Sequence, residues 1–163
     1  MEIVDAILSD SDPAGDAARF LHNLIEWFNL HPNLCRRMHG YLSSYRTTEL
    51  DPSIKTSWIA SLRILEHTVV KVLKPSPIPI HLATYQSYQR NVKHYTKDFF
   101  DIYCRIHRVT LYLHDHTRPH QRPRRLHTSV AQMNMVRWLL TSGQACISLA
   151  NKRARSLGRY KKN

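Results

Sequence analysis

At 163 residues the chain is long enough for one ordinary domain with a buried core and too short for two large ones. With 42% apolar and 22% charged residues it lacks the composition of a disordered protein, and with four Gly it lacks that of a turn-rich β fold. The net charge of +12 is polarised: residues 1–80 hold eight Lys/Arg against nine Asp/Glu, whereas residues 81–163 hold sixteen against three.

These numbers point to an all-α fold, a bundle of about five helices. Residues 1–11 are acidic and read as a flexible arm. The acidic start also lacks the basic character of a secretory or mitochondrial presequence, which leads to an intracellular expectation, in nucleus or cytoplasm. Residues 12–73 read as a near-neutral half of three helices. Asp12-Pro13 supplies a cap and a first-turn proline, and Ala17, Phe20, Leu21, Leu24, Ile25 and Phe28 share a face of a helix that stops before Pro32. A second, shorter helix follows on Leu34, Met38, Tyr41, Leu42 and Tyr45 and ends near Arg46, with Gly40 weakening its middle. Asp51-Pro52 repeats the cap signature, and Ile54, Trp58, Leu62, Leu65, Val69 and Val72 predict a third helix over 52–73.

KPSPIPI, residues 74–80, is a stiff proline-rich linker, and its PxPxP pattern reads as a spacer rather than a docking ligand. Residues 81–157 form the basic half, with two long helices. In the first, Tyr85, Tyr88, Val92, Tyr95, Phe99, Ile102, Ile106, Val109 and Leu113 alternate steps of three and four. Such heptads predict a helix of about 30 residues, long enough to span the bundle or to form a homodimer seam with a second chain. The last helix begins at a cap, Thr128 or Ser129, and carries the stripe Val130, Met133, Val136, Trp138, Leu140, Ile147, Ala150, Ala154 and Leu157. Its small residues Gly143, Ala145, Ala150 and Ala154 let a neighbour approach, which places it centrally or against the long helix. Residues 158–163 are a basic tail.

Between the two long helices lies HTRPHQRPRRLH, residues 116–127, with three His, four Arg and two Pro but no acid. His114, His116, His120 and His127 beside Asp115 offer imidazoles to a zinc ion, but the four Arg oppose a dication and no Cys is near in sequence. Nucleic acid fits the segment better. Arg118, Arg122, Arg124 and Arg125 present forked donors to phosphate oxygens, and the prolines keep them accessible. The run NKRARSLGRYKKN adds Lys152, Arg153, Arg155, Arg159, Lys161 and Lys162. PRRLH and NKRAR also serve as nuclear-import signals in the alternative reading.

Tyr85, Tyr88 and Tyr95 could stack on bases or fill a partner interface, and a stripe at this spacing is also how a helix buries one face. Cys35, Cys104 and Cys146 are odd in number and form no CxxC pair, so they read as buried reduced thiols. The sequence contains no glycine-rich phosphate loop, GxSxG or HExxH. No enzyme and no cofactor are expected.

The small, basic, helical, His- and Arg-rich composition resembles that of viral regulatory or accessory proteins, a resemblance that carries over no residue. The expected function is phosphate-directed binding of RNA or DNA. The alternative is a helical interaction module that regulates a signalling or nuclear factor, with the basic segments serving localisation or binding an acidic protein. A membrane-surface role ranks below both, because no lipidation sequence supports it.

Overall fold

A computed structural model of the chain describes residues 1–43 and 60–161, with side chains described through Ser156. Among these residues the fold is mixed, not all-α. Six helices pack with a three-stranded antiparallel sheet of order β1-β2-β3, where β1 is Glu2–Leu8, β2 is Arg108–His114 and β3 is Arg124–Ser129. The helices are α1 Asp16–Leu30, α2 Pro32–Ser43, α3 Leu62–His67, α4 Pro79–Phe99, α5 Val130–Ser142 and α6 Gln144–Lys161.

The expected helical bundle fails at the three sheet-forming segments, and for β1 and β2 the reason is local. The acidic arm is β1, pinned because Met1 and Ile3 are buried and the Asn29 amide satisfies the Ile3 backbone. Ile3 N–H donates to Asn29 Oδ1 at 2.8 Å, and Asn29 Nδ2 donates to the Ile3 carbonyl at 3.0 Å. A bulge between Ile3 and Asp5 then resets the register, so that Ile3, Ala6 and Leu8 stand opposite Leu113, Leu111 and Val109.

The heptad helix ends at Phe99, near the middle of its pattern. Thr96 sits at φ 61, ψ 175, and Phe100 is extended, which turns the chain out of α4. Val109 and Leu113, the last two members of the heptad, lie in β2 with Leu111 between them, all buried on one sheet face. A step of four is two strand periods as well as about one helical turn, so these two residues satisfied both patterns. With a helix of 21 residues instead of 30, the length argument for a second chain is gone.

Elsewhere the caps locate the helices. Asp12 caps α1 from a turn upstream: its carboxylate accepts from the Ala17 and Ala18 N–H groups at 3.3 and 2.9 Å, and Gly15 takes the left-handed φ of 74° that links them. Ser61 caps α3 through Ile64 N–H, and α3 runs on into a π-helical turn at Thr68–Leu73. The expected residues Tyr45, Arg46, Asp51, Pro52, Ile54 and Trp58 lie outside the described residues. The linker is shorter than expected, because Pro79 already occupies the first turn of α4.

Ser129 caps α5, accepting from Gln132 N–H at 3.1 Å. The single last helix is broken at Gly143, where a Cβ would come within 2.8 Å of Leu139 Cα. α5 is buried on nearly every side, in contact with α1, α2, α4, α6 and β3. Around it one contiguous core collects Leu24, Phe28, Met38, Leu65, Leu111, Leu113, Met133 and Leu139.

Candidate functional site

Because β2 and β3 form a hairpin, the segment 116–127 is a turn and a strand rather than an interhelical hinge. Asp115 organises the turn. Its Oδ1 accepts from Thr117 N–H at 3.0 Å and Thr117 O–H at 2.7 Å, while Arg118 N–H donates to the Asp115 carbonyl at 3.0 Å. Arg36, brought in on α2, donates to the same oxygen at 3.3 Å. The Thr117 bonds first, with the Arg36 guanidinium adding to them, pull the Asp115 carboxyl down to about 2.

The strand separates the four expected arginines by position. Arg118 and Arg122 are exposed on the turn. Arg125 is exposed and pairs with Tyr112, on the sheet face opposite Leu126, and His127 meets Thr110 there, Nδ1 to Oγ1 at 3.0 Å. Arg124 stands opposite Leu113 and is half-buried. It joins Arg36, His39, Arg118, Asp115, Thr117 and Met1 around a cleft of about 190 Å³ between α2 and the turn.

Two of the three histidines of the segment, His116 and His127, have partners of their own. His116 Nε2 bonds Glu2 Oε2 at 2.9 Å, and its ring lies edge-on to His114 at 4.9 Å. Among the described residues no group of three or more His, Cys, Asp or Glu is arranged to hold a metal ion.

The second basic cluster sits on α6, whose packing partners are α3, the π turn, α4 and α5, whereas those of the hairpin are β1, α2 and α5. Lys152, Arg153 and Arg155 are exposed there. The side chains of Arg159 and Lys161, and the whole of Lys162, lie outside the described residues.

The three tyrosines divide. Tyr85 and Tyr88 line an open trough along α4 with Gln89, Arg90, Val92 and Lys93. Tyr85 Oη accepts from Gln89 Nε2 at 2.9 Å. Burial pushes the Tyr88 hydroxyl up to about 12, so it stays neutral, and its ring packs on Phe100 and Trp138. Tyr95 turns inward, 5.6 Å from Phe20 and stacked near Phe100. It therefore serves the core more than an open face.

Of the cysteines, Cys35 and Cys146 are buried, and burial raises their thiols to about 11 and about 12. Cys104 is half-buried.

Sequence reasoning missed Arg36 and His39 as members of the site, because α2 reaches the turn only through the tertiary fold. It also missed Tyr112, whose place beside Arg125 depends on the strand pairing. The regular Val109, Leu111, Leu113 alternation was the signal that could have exposed that pairing.

Compared with protein-family models, curated proteins and solved structures, the chain matches none. The site is therefore read on its own chemistry. Among the described residues no helix is long and apolar enough to cross a membrane.

Proposed function

We propose that this is a non-enzymatic protein that binds nucleic acid largely through phosphate contacts, with the β2–β3 hairpin as its contact surface. One observation carries the reading: Arg118, Arg122, Arg124 and Arg125 share a hairpin, residues 108–129, whose own single acid, Asp115, is already engaged by Thr117 and Arg36. Guanidinium groups set on a paired strand and a tied turn lose less freedom on binding than the same groups on a floppy linker. Arg125 beside Tyr112 adds a cation next to an aromatic ring, a combination that suits unpaired bases. The exposed Lys152, Arg153 and Arg155 on α6 add long-range attraction from a second patch.

Fluorescence anisotropy with short RNA and duplex DNA tests the reading, comparing the parent protein with a variant carrying Glu at Arg118, Arg122, Arg124 and Arg125. Binding that weakens steeply with salt and disappears in the folded variant supports it. Weak binding shared by both proteins refutes it.

A further inference from the structure

The cleft between α2 and the hairpin turn differs in kind from the exposed arginines around it. At about 190 Å³ it falls below the roughly 300 Å³ at which sites for drug-sized ligands begin, so a nucleobase with its sugar does not fit inside. A single phosphate group does. Among the described residues the lining includes three guanidinium groups, from Arg36, Arg118 and Arg124, the carboxylate of Asp115 and the imidazole of His39. Asp115 keeps its negative charge, but its Oδ1 takes two bonds from Thr117 and one from Arg36, which hold the carboxylate against the turn.

We propose that this cleft takes the terminal phosphate of a nucleic-acid strand. The inference rests on the nucleic-acid reading above and adds to it a preference for phosphorylated ends. An internal phosphodiester carries a sugar on each side and one negative charge. A monoester has one substituent, close to two charges and three terminal oxygens, so it can enter a small cleft and meet several guanidinium forks at once. Arg36 and Arg118 are exposed enough to turn toward such a group without unpacking the core.

The test uses single-stranded oligonucleotides of one sequence bearing a 5′-phosphate, a 3′-phosphate or hydroxyls at both ends. The expected result is about tenfold tighter binding of a phosphorylated end, a ratio that returns to one in the Arg36→Gln/Arg118→Gln variant. The same preference should survive Arg122→Gln/Arg125→Gln, which lies outside the cleft and weakens all three ligands alike. Inorganic phosphate should erase the preference in the parent protein more effectively than chloride at equal ionic strength, a comparison that needs no variant. Equal affinity for all three ends overturns the inference and leaves general nucleic-acid binding standing. Absence of binding to any of the three overturns both. A preference that phosphate erases no better than chloride assigns it to bulk charge and overturns the cleft.

Discussion

Arg36 on α2 and Asp115 in the β2–β3 turn are 79 positions apart in the chain and 3.3 Å apart in the fold. This pair ties the turn that displays the arginines to the helical layer. It also makes the geometry of the turn depend on the protonation of one carboxyl group.

The sign of that dependence follows from the direction of the shift. Asp115 is held at about 2 by Thr117 and Arg36, below the roughly 3.9 of an unfolded aspartate. Its contribution to stability is therefore fully present above about pH 4 and is lost as pH falls through about 2. Thermal melts from pH 6 down to pH 2 should show Asp115→Asn losing less stability on acidification than the parent protein. Parallel acid profiles would mean that the contact is not formed in solution.

Gln132 ties α5 to β3 and to the irregular segment after α4 from inside the core. Its Nε2 donates to the Ile102 carbonyl at 2.7 Å, and its Oε1 accepts from Thr128 O–H at 2.9 Å. Gln132→Ala strands both partners in a buried site, at about 1–3 kcal/mol for each unsatisfied group. Urea unfolding should show a clear fall in midpoint with an unchanged slope.

Thr96 occupies backbone space that glycine alone adopts readily, at φ 61 and ψ 175. Thr96 is exposed, so Thr96→Gly removes strain without opening a cavity. The variant should raise the melting temperature, by the equivalent of about 1 kcal/mol once the added freedom of the unfolded chain is subtracted. A lower melting temperature would show that the threonine is accommodated there without strain.

The helices α1, α2 and α5 were legible because their apolar residues recur at helical spacing and because two cap residues, Asp12 and Ser129, act within a few residues of where they stand, although α1 begins at Asp16 rather than at Pro13. The cap of α3 at Ser61 was not read, since the apolar period ran back to Asp51-Pro52. The sheet was not legible, for two physical reasons. The bulge in β1 spaces its inward residues Ile3, Ala6 and Leu8 by three and two, which hides the alternation of a strand. In β2 the four-residue step from Val109 to Leu113 continued the heptad begun at Tyr85, and only Leu111 between them argued otherwise. The arginines of the site could be read directly from their clustering. Their grouping with Arg36 and His39 could not, since it follows from the packing of α2 beside the hairpin.

The most direct test of phosphate-directed binding is the slope of log affinity against log salt, measured for the parent protein and for Arg122→Gln/Arg125→Gln. If these two exposed side chains each meet a phosphate, the slope falls by roughly one for every contact removed. An unchanged slope, with both proteins equally well folded, would contradict the assignment of the hairpin as the nucleic-acid surface.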